Sequence, residues 1–306
     1  ANQMRFHLGY HYPRSLKTIK EINNLQNEFT NFYGKEIFGN TRNYYGIPFK
    51  DSKTTYKKYL IFLKKNNLKY KIIKSENFSN LIQGTIQCNE KNLNYFKIKN
   101  KILKKLKKNN INLYLNCLFK KKFIDNYDKI ILSVYDQNNA LLRSLGMKPK
   151  KIFKYELVEK IVIKLPKYYK NKSYMVIDGE FVCLDPYLGT KYHLLSDVKY
   201  SKIEKKEGLY PNFFDRRKKF LNNGIIKNIK ISEFNNFIDH GSKFLPFLKE
   251  AKYIGSFFVT RTIEADKEKT DERLNNITII NDKFITIFSG KWNTCVSVAK
   301  YVGGLI

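Results

Sequence analysis

Apolar residues recur at helical spacing in the first third of the chain. In residues 16–33 they stand every three or four positions, at Leu16, Ile19, Ile22, Leu25 and Phe29. Such spacing predicts an amphipathic helix. Residues 52–67 open with Ser and Thr cap candidates and predict a second helix, and the lysine-rich residues 91–109 predict a third.

Short apolar runs next to these helices predict strands. Residues 44–49 are expected to be extended, because Pro48 disfavours the helical conformation in the residue before it. Residues 111–119 and 128–136 are apolar runs of strand length. Helices and strands in this order are typical of an α/β arrangement.

The pattern changes between residues 150 and 200, where apolar and polar positions alternate. Turn dipeptides at Asp178-Gly179 and Asp185-Pro186 divide this region, which predicts an antiparallel sheet. Residues 232–253 predict a helix, and the chain ends with two strands about the turn 281–283 and then a helix. The fold class is therefore mixed α/β, with two interleaved domains rather than two in series.

The net charge of +31 comes from 58 Lys and Arg against 27 Asp and Glu. A charge of this size can indicate nucleic acid or an anionic membrane as partner. However, the excess is almost all lysine, and it accompanies many Asn, Ile, Tyr and Phe residues, whose codons are also A/T-rich. A base-composition bias explains this pattern without a partner. Nucleic-acid binding is therefore the weakest of the three functions considered below.

The four cysteines stand far apart, at Cys88, Cys117, Cys183 and Cys295, and show no zinc-site spacing. We therefore expect free thiols in a reducing compartment and no bound metal. No apolar run reaches the roughly 20 residues of a membrane span. These features predict a cytoplasmic protein or one held peripherally at a membrane.

The stretch "ANQMRFHLGYHYPRS" (1–15) contains two of the four histidines, His7 and His11, beside two arginines and two tyrosines. A neutral imidazole near pH 7 can accept a proton, so each histidine is a candidate acid or base. The alternative is that each makes a structural hydrogen bond in a crowded turn.

Two further stretches suit an anionic group. Ser289-Gly290-Lys291 joins a buried strand to a helix, whose N-terminus offers free N–H groups beside a lysine charge. Arg261 follows an apolar strand and could grip a carboxylate or phosphate through paired hydrogen bonds. The alternatives are a capped helix on a core strand and a surface salt bridge from Arg261 to Glu264 or Asp266.

Together these stretches resemble the FAD-dependent oxidoreductases of the D-amino-acid oxidase superfamily, which includes glycerol-3-phosphate dehydrogenases. "RFHLGYHY" is similar to the family's L-x-H-G-G-x-R-Y: His7, Gly9 and Tyr12 match, whereas His11 stands where that pattern has arginine. "TR" at Arg261 resembles the family's R-P, and "TDER" (270–273) resembles a later arginine of the family.

The C-terminal "SGKWNTCVSVAKYV" resembles the family's G-G-K-x-T-T-x-R-x-x-A-E. Gly290, Lys291, Thr294 and Ala299 match this pattern. The departures from it are Ser289 for the first glycine, Asn293 for the first threonine and Ser297 for the arginine.

The resemblance implies a three-layer FAD/NAD(P)-binding domain interleaved with an antiparallel substrate domain. The first is expected at 1–35, 86–148 and 251–306, and the second at 36–85 and 149–250. The implied cofactor is FAD, with these residues near it: Asn2, Gln3, Arg5, Gly9, Ser289, Gly290, Lys291, Trp292 and Thr294.

The resemblance also assigns chemistry. His7 and His11 would assist deprotonation and Arg261 would orient the substrate, with Tyr12 and His193 as further substrate-binding candidates. We interpret His240 as a surface residue. The implied enzyme oxidises a small anionic hydroxy- or amino-substituted molecule by hydride transfer to flavin, with the electron acceptor left open.

One departure limits this assignment. None of the 15 glycines forms a G-x-G-x-x-G, the motif that binds the FAD pyrophosphate at a helix N-terminus. The family's first strand–helix–strand unit is therefore expected to precede Ala1. The alternatives are a cofactor-less binding or scaffold protein that retains the fold and, less favoured, a basic nucleic-acid-binding protein.

Overall fold

The computed structural model describes residues 3–74, 77–265, 275–289 and 291–306. Its helices are α1 (Leu16–Tyr33), α2 (Tyr56–Lys65), α3 (Tyr95–Lys108), α4 (Asn138–Ser144), α5 (Asp215–Lys218), α6 (Phe234–Gly241) and α7 (Cys295–Gly303). The three helices predicted in the first third of the chain are confirmed as α1, α2 and α3. Side-chain oxygens of Thr55 and Asn94 cap α2 and α3 by accepting from backbone N–H groups.

The described residues contain fourteen strands, which form three sheets. They are β1 (Arg5–Phe6), β2 (Arg42–Pro48), β3 (Tyr70–Ile73), β4 (Ile82–Cys88), β5 (Lys91–Asn92), β6 (Ile130–Leu132), β7 (Phe153–Lys164), β8 (Lys172–Val176), β9 (Val182–Pro186), β10 (His193–Asp197), β11 (Lys202–Gly208), β12 (Lys252–Glu264), β13 (Asn276–Ile279) and β14 (Phe284–Phe288).

A nine-stranded, mostly antiparallel sheet forms the centre of the molecule. Its order is β11-β7-β10-β9-β8-β2-β4-β3, and β12 pairs with β7. The long strand β7 is bordered on one edge by β12 along its whole length, and on the other by β11 and then β10. The antiparallel sheet predicted from the alternation in residues 150–200 is confirmed.

The two faces of this sheet differ in what they bury. On the outer face, Leu157, Ile161 and Ile163 join apolar clusters that include residues of α6 and the segment after it. On the opposite face, Val162 packs with Met4 of the N-terminal segment. We call this second side the inner face, because residues 3–12 lie across it.

A smaller sheet stands beside the large one, in the order β13-β14-β6. Strands β14 and β6 run parallel, and β13 is antiparallel to β14 across the predicted turn at 281–283. Ile130 and Leu132 of β6 are buried with residues of α4. The mixed α/β fold class predicted from the sequence is confirmed.

Two sequence-based expectations differ from the structure. Residues 111–119 form no strand; the apolar side chains of residues 111–118 are exposed, and no strand of the described part pairs with them. The helix expected at 232–253 divides into α6 and a short 3-10 helix at Pro246–Glu250, because Pro246 interrupts it. Backbone pairing joins residues 252–264 and 86–88, which the resemblance places in the cofactor domain, to the large sheet.

The division into a cofactor domain and a substrate domain otherwise stays a prediction. None of the described helices combines the length and the apolar character that crossing a bilayer requires. No group of three or more potential ligands for a metal ion is found among the described residues.

Gly255 lies at an irregularity in the pairing of β12 with β7. A Cβ there would stand 2.7 Å from the carbonyl oxygen of Ile226, which belongs to the backbone and cannot turn away. We expect Gly255→Ala to lower the free energy of unfolding by about 1–3 kcal/mol. Urea unfolding followed by circular dichroism measures this.

The matched control is Gly303→Ala at the end of α7, where a Cβ meets nothing within 4 Å. Its effect should stay below about 1 kcal/mol, because only backbone propensity changes. Equal midpoints for the two variants would contradict the close approach at Gly255.

Candidate functional site

The N-terminal segment 3–12 is held on the inner face by one buried arginine. Arg5 is 1% exposed, and its guanidinium lies 2.9 Å from Glu90 Oε2 and 2.5 Å from Asp185 Oδ1. It also donates to Asn43 Oδ1 at 3.3 Å and to the Ser173 hydroxyl. One side chain therefore joins the segment to strands β2, β8 and β9.

The two carboxylates around Arg5 have further donors. Asp185 accepts from Asn92 Nδ2 at 2.7 Å and from Ser173 Oγ at 2.6 Å. Glu90 accepts from the backbone N–H of Leu8 at 3.0 Å and from the Tyr45 hydroxyl. Because these hydrogen bonds replace water, they offset the large cost of burying three charges.

A second contact fixes the start of the segment. Gln3 Nε2 donates to the carbonyl of Leu194 at 3.0 Å, and Gln3 Oε1 accepts from Ser196 Oγ and from Lys160 Nζ, each at 2.7 Å. Lys160 Nζ also donates to Ser196 Oγ at 2.9 Å. Burial lowers the pKa of Lys160 to about 8.

The histidines of the segment stand together. The rings of His7 and His11 stack with centroids 5.2 Å apart, and the ring of Tyr12 meets both edge to face. His7 Nδ1 lies 3.5 Å from Glu90 Oε1, a close approach without a hydrogen bond. Burial, and then the neighbouring His7, lower the pKa of His11 to about 3, so His11 is neutral at pH 7.

The C-terminal junction closes against this histidine pair. Asn293 Nδ2 donates to the His7 carbonyl at 2.6 Å, and Lys291 Nζ lies 4.0 Å from the centroid of the Tyr12 ring. Trp292 packs with residues of the N-terminal segment. Residues nearly three hundred positions apart are thus brought into contact.

Other predicted residues have structural contacts near this junction. Thr294 is fully buried and its hydroxyl donates to Asn275 Oδ1 at 2.8 Å, while Ser289 Oγ lies 3.1 Å from the same hydroxyl. Gly9 has a φ of +110° and packs on Ile19. Asn2 and Gly290 lie outside the described residues.

The remaining candidates are placed elsewhere on the large sheet. Arg261 is on the inner face of β12, where it forms an ion pair with the buried carboxylate of Glu156. His193 is 1% exposed on the outer face, with Nε2 2.9 Å from the Tyr169 carbonyl, so it does not meet the N-terminal segment. The pairing of Arg261 with Glu264 or Asp266 was considered in the sequence; its described partner is Glu156.

The interpretation of His240 as a surface residue is wrong. Its side chain is 13% exposed, and Nδ1 lies 2.6 Å from Oδ2 of the buried Asp197. Asp197 Oδ1 also accepts from the backbone N–H groups of Lys199 and Tyr200. The pair therefore ties α6 to the end of β10 on the outer face.

The junction offers hydrogen-bonding atoms that a polar ring could use. Trp292 Nε1 and His11 Nδ1 are buried, and neither has a hydrogen-bond partner in the described part of the chain. Buried polar atoms are ordinarily satisfied, so such atoms point to a missing partner. With the charge of Lys291, this donor and acceptor set fits the ring end of a flavin, whereas the sequence supplies no glycine-rich loop for its pyrophosphate.

Comparison with known proteins gives the fold. No protein-family model and no curated protein sequence matches the chain. Its structure is similar to that of glycine oxidase from Geobacillus kaustophilus, with a TM-score of 0.62 and 10% identity over 97% of this chain and 80% of that one.

Two further solved structures give the same result. L-proline dehydrogenase from P. horikoshii has a TM-score of 0.62 and 11% identity over 95% of this chain and 78% of that one. A modified fructosyl peptide oxidase from Aspergillus nidulans has a TM-score of 0.66 and 12% identity over 95% and 77%. The chain has the fold of these proteins, and the resemblance inferred from its sequence is confirmed at the level of the fold.

Several residues of the site were missed in the sequence. Glu90 and Asp185 hold the N-terminal segment, while Lys160 and Glu156 lie on the inner face of β7. The signal for the last two was present: charged side chains stand at alternate positions of an otherwise apolar strand, "FKYELVEKIVIK". For Glu90 and Asp185 there was no such signal, because their role depends on a partner far away in the chain.

We expect Arg5→Met to lower the free energy of unfolding by about 3–5 kcal/mol, because it leaves two buried carboxylates without their cation. The matched control is Arg14→Met. Arg14 bonds Asp178 through two nitrogens, at 2.7 and 3.2 Å, but its side chain is 34% exposed. Its loss should cost about 1 kcal/mol or less. Urea unfolding measures both, and similar losses would contradict the central place of Arg5.

The acid limit of stability should depend on Glu90. Burial alone would raise the pKa of Glu90, but His7, Arg5 and Tyr45 outweigh it and hold that pKa well below its usual value. A carboxyl with a lowered folded pKa contributes stability above its unfolded pKa of about 4.3 and loses it as the pH falls further.

We therefore expect Glu90→Gln to be less stable than the wild type at pH 6 and to lose less additional stability between pH 5 and pH 3. Urea midpoints across that range measure the slope. Parallel pH profiles for the two proteins would show that Glu90 is not the titrating group.

Proposed function

We propose that the chain is the larger part of an FAD-dependent oxidoreductase that oxidises a small anionic hydroxy- or amino-substituted molecule. The observation that carries this proposal is the contact of residues 3–12 with Lys291–Thr294, in a fold shared with glycine oxidase and L-proline dehydrogenase. When bound, FAD would accept a hydride from the substrate. The chain's own residues would bind, orient and shield the reacting groups.

Each residue at the junction has a role that follows from its position. Lys291 would place a positive charge beside the ring, where negative charge develops on reduction. Trp292 Nε1 can donate a hydrogen bond to the ring and His11 Nδ1 is free to bond it in either tautomer, since both atoms are otherwise unpartnered in the described residues.

Proton transfer is assigned to His7 rather than His11. With a pKa of about 3, His11 is too weak a base to take a proton near neutral pH. His7 lies beside Glu90 and is partly exposed, with a side-chain exposure of 20%, so a substrate can reach it.

The pyrophosphate would be bound by a strand–helix–strand unit outside residues 1–306. Two observations support this. Strand β6 pairs only with β14 among the described strands, although a parallel strand is ordinarily paired on both sides and covered. Residues 111–118 also expose apolar side chains, Ile111, Leu113, Tyr114, Leu115 and Leu118. A parallel strand added to the small sheet would pair the open edge.

The test is flavin binding by residues 1–306 and by a form extended at its N-terminus, measured by the quenching of flavin fluorescence. We expect residues 1–306 to bind riboflavin and FAD with affinities within about threefold, because only the ring end has a site. The extended form should bind FAD at least about 100-fold tighter than riboflavin. Its bound flavin should be reduced when substrate is added.

A matched pair of variants tests where the flavin ring binds. His11→Phe should weaken riboflavin binding about tenfold, the value of one hydrogen bond in a buried site. His193→Phe removes a buried histidine from the outer face and should change the riboflavin affinity by less than twofold. An extended form that gains no flavin would overturn the proposal and favour a binding protein that retains the fold without the cofactor.

A further inference from the structure

The inner face is covered by the N-terminal segment only in part. The segment lies over strands β2, β8, β9 and β10 through the contacts of Arg5 and Gln3. Beyond Gln3, the inner face continues over β7, β11 and β12. There the side chains are partly exposed, at Lys160, Lys202, Phe257, Val259 and Arg261.

The strand register gives this uncovered area a defined layout. Val158 of β7 stands opposite Val259 of β12 on one side and opposite Lys202 of β11 on the other. Residues two positions apart in a strand share a face, so Glu156 and Lys160 flank Val158. Two valines thus form an apolar floor with charged side chains around it.

On this face the exposed Lys205 stands opposite Glu156. Three partly buried cations surround the floor: Lys160, Lys202 and Arg261. We call them the cation ring. The carboxylate of Glu156 is fully buried; it pairs with Arg261, and Lys202 Nζ lies 3.8 Å from it. One carboxylate therefore serves two cations, and the ring keeps a net charge of about two positive units near neutral pH.

Lys160 contributes most to this imbalance. Its ammonium is hydrogen-bonded to two neutral acceptors, Gln3 Oε1 and Ser196 Oγ, and no carboxylate of the described residues lies within 4 Å of it. Asp185, a carboxylate whose charge raises the pKa of Lys160, is already paired with Arg5. A partly buried ammonium without a counter-ion is costly unless an anion joins it.

We propose that the cation ring binds a small organic dianion, a dicarboxylate or a phosphate monoester, with its carbon atoms on Val158 and Val259. This deepens the proposed function, since it names the class of the substrate. Arg261 grips one anionic group through its planar fork, and the two lysines act as point charges on the rest. Gln3 connects the ring to the segment that carries His7.

The test is direct binding of named anions to residues 1–306, measured by isothermal titration calorimetry at low ionic strength. The probes are succinate, inorganic phosphate and acetate. We expect the dianions to bind saturably and at least tenfold tighter than acetate. A preference for succinate or for phosphate tells which of the two dianion types the ring accepts.

Matched variants separate the ring from general positive charge. Lys160→Met and Lys202→Met should each weaken dianion binding at least tenfold. Lys206 lies on the same strand as Lys202 but on the outer face, opposite Tyr155, so Lys206→Met makes the same charge change away from the ring. It should weaken binding less than twofold. Lys160→Gln serves as a second variant if Lys160→Met does not fold.

Glu156→Gln gives a result that a purely structural role would not. Removal of the carboxylate frees Arg261 and raises the ring's charge, so dianion affinity should rise severalfold even if stability falls. An unchanged or lower affinity, or equal effects of Lys202→Met and Lys206→Met, or the absence of saturable binding, would overturn the proposal.

No flavin takes part in this experiment, so its result is independent of the proposed oxidoreductase. Saturable dianion binding by a protein that never gains flavin would uphold the ring and overturn the redox function. Flavin binding by a protein that binds none of the three anions would uphold the redox function and overturn the cation ring.

Discussion

The arrangement of the site depends on the burial of Arg5 between Glu90 and Asp185. A guanidinium in this position cannot leave its carboxylates without exposing unpaired charges in an apolar surrounding. The segment that carries His7 is therefore fixed in position relative to strands β2, β8 and β9. His7 in turn reaches the C-terminal junction through the bond from Asn293. Arg5 thus fixes the N-terminal segment where that segment contacts the C-terminal junction.

This anchoring also determines where the inner face stays open. Gln3 is the first described residue of the segment, and its contact with Lys160 brings a charged residue of β7 to the border of the area that the described segment covers. An apolar residue at position 160 would close the face with ordinary packing. A lysine held there by neutral partners instead keeps a positive charge available beside the N-terminal segment. The strands under the N-terminal segment hold that segment in place, and the neighbouring strands β7, β11 and β12 carry the partly exposed positive charge.

The sequence predicted the parts of the fold that depend on local pattern. Helix α1 and the terminal hairpin follow the spacing of apolar residues, which is set within a few positions. The strand predicted at residues 111–119 is wrong for the opposite reason. An apolar run becomes a strand only when another strand pairs with it, and none does among the described residues. Pro246 was visible in the sequence, but the contact of His240 in α6 with the distant Asp197 was not.

Candidate residues that lie within a family-like motif could be named from the sequence. Residues that only the chain topology brings to the site were missed. His7, Tyr12 and Lys291 belong to stretches that resemble a known family, and the structure brings them together. Glu90 lies in a loop with nothing distinctive around it, so only its distant partner Arg5 gives it a role. Lys160 and Glu156 were visible as charges in an apolar strand, but the strand's register was needed to place them around Val158.

The lysine excess shows why composition alone could not reveal the cation ring. A biased genome adds lysines wherever the fold tolerates them, and most tolerated positions lie in solvent, where a long side chain keeps its charge hydrated. Lys206 is such a residue, with a side chain 38% exposed, whereas Lys202, four positions earlier on the same strand, is 18% exposed over a buried carboxylate. Chance addition of a lysine on the inner face would cost stability. Lysines kept there, and a third cation beside them, are therefore better explained by an anion than by codon usage.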